Sequence, residues 1–313
     1  MPRSGLKIKW QNLFMWIYLG LISSWLLGLY DVCKKHALNH NAVMPVLFFS
    51  VIFGFMPMPF FLAASRLAPE FMQQGFCYVP VATLSEHWHI FIKALIVSTS
   101  WILAYFAMKN LPISIVTPIR ASGPVWTLIG AILLFHERPL PMQWAGMAVV
   151  LASYYAFSLI GQKEGVVFHR SRWILCIFLA TFIGTLSTLY DKYLLQQLGY
   201  TPMLVQFWFA FYNVVLLGLF TAVFWWPRRS AFTRFQWRWS IPLIGLLLTA
   251  SDFVYFNAVR NPDALIAILS LLRRSSVIVS FAIGVFIFGD VNRRHKAWAL
   301  AGVLAGVILI VLA

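Results

Sequence analysis

The chain has 313 residues, of which 61% are hydrophobic and 11% charged, and its mean hydropathy is +0.80. A soluble domain runs at about 45–50% apolar and about 25% charged, so a water-soluble globular fold is excluded. The net charge of +15 does not point to nucleic acid, because the basic residues are scattered between apolar blocks and form no basic face.

The first apolar block covers about residues 13–33 and follows Arg3, Lys7 and Lys9, as the core of a signal peptide would. It is too long for one, no small-residue cleavage site follows it, and nine more blocks do. It reads as a first spanning helix. The others lie near 43–64, 89–108, 112–135, 141–160, 173–194, 202–226, 239–259, 263–288 and 297–312. Each is about 16–27 residues long, the length that a tilted span allows. Pro112, Pro139 and Pro262 suit first helical turns, where a missing N–H costs nothing. The longest connection, 65–88, holds Pro69, Gly75 and Pro80, and no loop is large enough for a soluble domain. Cys33, Cys77 and Cys176 make no disulfide framework and read as small apolar fillers.

Three motifs recur in the same order. Gly28-Leu-Tyr30-Asp31 returns as Thr188-Leu-Tyr190-Asp191, and Tyr105-Phe-Ala-Met-Lys109-Asn110 returns as Phe256-Asn-Ala-Val-Arg260-Asn261. Gly130-Ala-Ile-Leu-Leu-Phe-His136-Glu137 returns as Ile283-Gly-Val-Phe-Ile-Phe-Gly-Asp290. The expectation is an all-α membrane protein of ten transmembrane helices, built from two five-helix repeats, 1–160 and 161–313, around a central cavity. Five is odd, so the second repeat enters the membrane from the other side, the inverted plan common among secondary transporters.

The stretch from Pro124-Val-Trp-Thr to His136-Glu137-Arg138 resembles the fourth-helix signature of EamA-like proteins in the drug/metabolite transporter superfamily. There a Pro-Val-Phe-Thr segment runs down to a Gly-Glu-Arg turn. Gly28 followed by Lys35 resembles the family's first-helix pattern. The resemblance implies ten helices around a cavity, alternating access without ATP, and a metabolite, sugar, nucleotide-sugar, amino acid or drug as cargo. His136 departs from the family's Gly, Val277 stands where Pro124 would repeat, and Arg120, Arg273 and Arg274 replace aliphatic residues.

An arginine at mid-bilayer costs at least about 2.5–3.5 kcal/mol and faces a bundle interior or a wet cavity. Aligned on Glu137 and Asp290, Arg120 and Arg273 are repeat equivalents, which places them on opposite sides of one cavity. Ser114 and Thr117 share a stripe with Arg120, and Ser270, Ser276 and Ser280 share one with Arg273. Substrate contacts are therefore expected from Arg120, Arg273, Arg274, Thr117, Ser270 and Ser276, with Trp101, Tyr105 and Trp126 shaping the cage. The arginine forks suit a carboxylate or phosphate; pairing with Asp252, Asp31 or Asp191 is the competing, purely structural role. Asp252 is also the candidate for proton coupling or gating, with Asp31, Asp191 and Lys35 beside it. Asp31 with Lys34 and Lys35, and Asp191 with Lys192, read as interfacial pairs. Pro118 and Pro124 are expected to kink the fourth helix as a hinge. Gly302 and Gly306 form a GxxxG suited to close helix packing.

The expected function is secondary active transport of a small polar, anionic or carboxylate-bearing metabolite. Alternatives are an exporter of amino acids or cationic and amphiphilic compounds, with structural arginines only, and a lipid-linked sugar flippase. An enzyme is disfavoured: the histidines are scattered, His87 and His89 do not converge on a helix, and no phosphate-binding loop occurs. No cofactor, metal or nucleic acid is expected; the partners are a small-molecule substrate, the lipid bilayer and protons as a coupling ion, with monomer or homodimer left open. The expected location is a bacterial inner membrane. Most loop Lys and Arg fall opposite the N-terminus, which puts both termini outside; the family resemblance implies both inside.

Overall fold

The structure, a computed structural model, describes residues 3–111, 116, 119–120, 122–161, 172–231, 233–276, 278–279, 282–283 and 293–312. Among these the regular elements are helices: α1 (Arg3–Leu38), α2 (Val43–Phe55), α3 (Met58–Leu67), α4 (Pro69–Gln73), α5 (Leu84–Asn110), α6 (Gly123–Phe135), α7 (Pro141–Gly161), α8 (Arg172–Lys192), α9 (Pro202–Phe220), α10 (Ser240–Arg260), α11 (Ile266–Arg274) and α12 (Arg293–Leu312). Helices α8 and α9 each run on into a π-helical turn, Tyr193–Gln197 and Thr221–Trp225. Every apolar block of the sequence contains a helix. Among the described residues, six stretches are long and apolar enough to cross a membrane: Met15–Leu38, Val43–Leu67, Leu84–Ala107, Arg172–Gln197, Pro202–Ser230 and Ser240–Arg260. Gly123–Phe135 and Ala301–Leu312 are shorter apolar helices.

Side chains at the helix starts explain several boundaries. Thr83 accepts from the Glu86 N–H while Glu86 accepts from the Thr83 N–H, a reciprocal cap that starts α5 five residues before the apolar block does. Thr201 accepts from the Leu204 N–H at 3.3 Å, with Pro202 in the first turn of α9. Helix α6 ends at His136, whose φ of 53° is left-handed. That conformation is natural for Gly and strained for a residue with a Cβ, so this position explains the glycine of the family pattern. His136→Gly is expected to raise stability by about 0.5–1 kcal/mol, read as a higher melting temperature in detergent with unchanged cargo binding.

Helix α1 packs on α10 and α5 packs on α8. Helix α2 meets α10 and α9 meets α5; α6 lies on α8 and α11 on α1; α7 lies along α12, α6 along α11 and α2 along α9. A reciprocal clasp joins α1 to α10: the Ser23 hydroxyl donates to the Ser251 carbonyl at 3.0 Å and the Ser251 hydroxyl to the Ser23 carbonyl at 2.9 Å. Such interhelical bonds contribute roughly 0.5–2 kcal/mol in a bilayer. The GxxxG glycines serve packing inside the chain: a Cβ on Gly306 would lie 2.8 Å from the Gly146 carbonyl of α7, and one on Gly302 would lie 2.3 Å from Ser153 Oγ. The tightest approach is α2 on α10, where a Cβ on Gly245 would fall 1.9 Å from the Ser50 carbonyl. Backbone cannot step aside as a side chain can. Gly245→Ala is therefore expected to lower stability by about 1–3 kcal/mol through overpacking, measured by thermal unfolding in detergent.

Candidate functional site

A cavity of about 240 Å³ lies at the centre of the bundle, walled by α1, α5, α6, α8, α9, α10 and α11. Among the described residues, its charged lining is Asp31, Asp191 and Asp252 against Lys34, Lys93, Arg120, Arg273 and Arg274. Each carboxylate holds a cation. Lys34 Nζ donates to Asp31 at 2.8 Å, Lys93 Nζ to Asp191, and Arg273 Nη2 to Asp252 at 2.6 Å. Lys93 is 2% exposed, so its pair is sealed from solvent.

Each of these three cations also sits on an aromatic face. Lys34 Nζ is 4.5 Å from the Tyr30 ring centre and 5.8 Å from that of Tyr105. Lys93 Nζ is 4.4 Å from Phe209 and 4.9 Å from Phe256, and the Arg273 guanidinium is 4.1 Å from Tyr255. In a dry interior the ring quadrupole offsets part of the lost hydration. Asp31 and Asp191 occupy matching motif positions, as do Tyr105 and Phe256. The carboxylate–lysine–aromatic arrangement thus occurs twice, although Lys34 comes from the same helix as its Asp and Lys93 from a different one.

The arginines precede breaks in their helices. Ile119 and Arg120 are helical, Ser122 is a turn, and α6 restarts at Gly123. Helix α11 ends at Arg274, and Ser275 is a turn. The Ser122 hydroxyl donates to the Ile119 carbonyl at 2.7 Å and the Ser275 hydroxyl to the Leu272 carbonyl at 2.6 Å. At both places the same hydroxyl-to-carbonyl bond, three residues back, competes with the helical bond. Ser24 ties the second break to α1 through Ser275 Oγ at 2.8 Å, and the Thr185 hydroxyl reaches the Gly123 carbonyl at 3.4 Å beside the first. Pro124 lies in the first turn of α6, directly after this break, and its missing N–H leaves the Arg120 carbonyl without the helical donor four residues on.

Glu137 closes one end of this arrangement. It accepts from Lys192 Nζ at 2.6 Å, the Ile266 N–H at 2.7 Å and the Ala267 N–H at 3.3 Å. One buried carboxylate thus pairs a lysine of α8 and caps the first turn of α11, where the helix dipole also favours negative charge.

Of the residues expected to form the site, Arg120, Arg273, Arg274, Ser270, Ser276, Trp101, Tyr105, Asp31, Asp191 and Asp252 all line the cavity. Thr117 and Pro118, with Ser114 and Ser280, lie outside the described residues. Trp126 does not line it: its ring packs edge-on against Phe178 and Phe182, because consecutive helix positions turn by about 100° and Thr127 takes the inward face. Lys35 is exposed and Lys34 is the inward lysine, for the same reason. Asp191 pairs with Lys93 rather than Lys192, and both it and Lys192 are buried rather than interfacial. His87 and His89 diverge, each bonding its own tyrosine, Tyr212 and Tyr200, at 2.9 Å.

Lys93 was the missed residue with the plainest signal, a lysine inside an apolar block. With the block starting at 89 it reads as interfacial; the true start at Leu84 puts it about 14 Å along the helix.

Residues 14–159 match the model of the EamA-like transporter family. Among curated relatives, the "Probable 4-amino-4-deoxy-L-arabinose-phosphoundecaprenol flippase subunit ArnE" of Escherichia coli O157:H7 is 24% identical over 81 residues, 25% of this chain and 73% of the relative. The same-named protein of Shigella boydii serotype 18 matches equally. A protein of known crystal structure superposes at TM-score 0.68 over 96% of this chain and 97% of its own, with 14% identity, a likeness of fold. The chain is thus a multi-pass integral membrane protein whose residues 14–159 are similar to the EamA-like transporter family.

Proposed function

We propose that the protein is a secondary active transporter of a small anionic metabolite, and not an enzyme, with the central cavity as the binding site. The observation that carries this reading is the cavity's charged lining: among the described residues, five cations and three carboxylates in a bundle interior. Arginine forks and lysine ammonium groups make strong charge-assisted bonds to carboxylate and phosphate oxygens, so an anion is the cargo that this lining suits best. Two inverted five-helix halves, 1–160 and 161–313, fit the packing. Exchanging the halves turns α1 on α10 into α8 on α5, α2 on α10 into α9 on α5, and α6 on α8 into α11 on α1, and all of these contacts occur. The two helix breaks beside Arg120 and Arg274 supply the points about which such halves rock during alternating access. Asp252, clasped by Arg273, is the group whose release would couple cargo entry to movement, with protons as the coupling ion, in a bacterial inner membrane.

Purified protein in sealed vesicles tests this without ATP. Labelled small carboxylates or phosphate esters are expected to enter faster than in protein-free vesicles. Uptake confined to amines or neutral drugs would contradict the reading and leave the arginines structural. A second reading, movement of a lipid-linked sugar, is favoured by the similarity to the flippase subunits. The cavity opposes it, being smaller than the about 300–1,000 Å³ of sites for drug-sized ligands.

A further inference from the structure

A second cavity, of about 340 Å³, lies apart from the charged one. It is a groove between the start of α2, the end of α5 and the end of α9. Val43, Ile102, Phe106, Phe220 and Phe224 line it, and among the described residues Arg228 is its one charged group. Phe224 is 53% exposed, so the groove opens on the outer face of the bundle, toward lipid. The chain leaves α9 through the π turn Thr221–Trp225 and a 3₁₀ turn, Trp226–Ala231, which brings Arg228 to the groove. Trp225 and Trp226 followed by Arg228 and Arg229, at the end of the apolar stretch Pro202–Ser230, mark the level of the bilayer surface. Arg234 and Arg238 follow on the same connection, and the segments that wall the groove, 32–69, 87–136 and 192–251, contain no acidic residue. Arg238 donates to the His36 carbonyl and Arg229 lies 4.8 Å from the Trp226 ring centre. Arg228 pairs with no carboxylate among the described residues.

We propose that this groove holds one anionic phospholipid, with an acyl chain against the phenylalanines and the phosphate on Arg228. The proposal is independent of the cargo reading. Water does not fill a groove that offers it almost no polar partners. Burying the tail selects no particular lipid, because the bilayer core is as apolar as the groove. Selection therefore falls to the headgroup. A guanidinium makes charge-assisted bonds to phosphate oxygens, and one arginine near the membrane surface favours an anionic over a net-neutral lipid by about fivefold. A second copy of the chain is a poorer occupant, since a two-fold contact at this face would bring the same arginine cluster of both copies together. A lipid seated here would bridge α2, α5 and α9 at one surface of the membrane.

Native mass spectrometry of the full chain, purified in detergent and stripped of lipid, tests this with phosphatidylglycerol and phosphatidylcholine of identical chains. The expected result is one retained phosphatidylglycerol, bound about fivefold more tightly than phosphatidylcholine. Arg228→Gln is expected to remove the preference while leaving phosphatidylcholine binding unchanged, and Arg228→Lys to keep part of it. Arg234→Gln, at an exposed arginine outside the groove, is expected to keep all of it. Ile102→Trp, which fills the groove from α5, is expected to weaken both lipids. Equal binding of the two lipids by the wild-type chain would overturn the proposal. An equal loss in Arg228→Gln and Arg234→Gln would overturn it too, since diffuse surface charge and not a site would then be at work. A dimer that Ile102→Trp disrupts, with lipid binding untouched, would make a second copy the occupant and also overturn it. Arg228 is exposed, so its variants decide the matter even where Ile102→Trp fails to fold.

Discussion

Lys93→Met is expected to lower stability by about 3–5 kcal/mol, the largest loss among single substitutions in the cavity wall. Removing one partner of a buried pair leaves the other charge uncompensated, which is the costly case. Lys93 and Asp191 are both buried, and the lysine is enclosed by Phe209 and Phe256. The stranded group would be the Asp191 carboxylate, with Asp252 as a further negative charge nearby. The check is a double-mutant cycle in detergent. Asp191→Leu alone is expected to be as damaging, and Lys93→Met/Asp191→Leu to recover most of the loss, since an apolar pair of similar volume suits this interior. Additive losses in the double variant would show that the pair contributes packing and not charge compensation.

Glu137→Ala is expected to cost about 4–6 kcal/mol and to reduce transport with it. Two effects combine: Lys192 loses its buried counter-ion, at about 3–5 kcal/mol, and the first turn of α11 loses an acceptor for the Ile266 and Ala267 N–H groups, at about 1 kcal/mol. Glu137→Gln separates them. The amide keeps an acceptor for the helix start but no charge for Lys192, so it is expected to recover only the cap. Hydrogen exchange at Ile266 and Ala267 reads the cap directly, while unfolding in detergent reads the whole. If Gln and Ala variants exchange alike at α11, the capping role fails.

The sequence made the membrane class and the helical blocks legible because both follow from runs of apolar residues. It pointed as well to several charged residues that line the cavity. A charge in the middle of such a run, as at Arg120, Arg273 or Asp252, has nowhere to go except an interior cavity. What it hid were matters of which face and which partner. Lys34 and Lys35 are neighbours in sequence and about 100° apart on the helix, and a family pattern pointed to the outward one. Asp191 and Lys192 look like a pair and are two halves of different pairs, because their partners Lys93 and Glu137 stand on helices remote in sequence. Capping moved the start of α5 to Leu84 and so moved Lys93 from the interface into the interior. The break in both halves is marked by a serine whose hydroxyl bonds a carbonyl three residues back, a feature the prolines of the fourth block do not reveal. His136 runs the other way: the departure from the family's glycine is a strained left-handed residue, visible only once φ is known.

The central claim, that the charged cavity carries an anion across the membrane by alternating access, is tested most directly by counterflow in sealed vesicles. Vesicles bearing the full chain are preloaded with an unlabelled anionic cargo, and entry of the labelled compound is followed without ATP. Acceleration by the internal anion in wild type, lost in a well-folded Arg120→Gln variant, is the predicted result. Entry unaffected by internal anion, or equal in wild type and Arg120→Gln, would contradict the account.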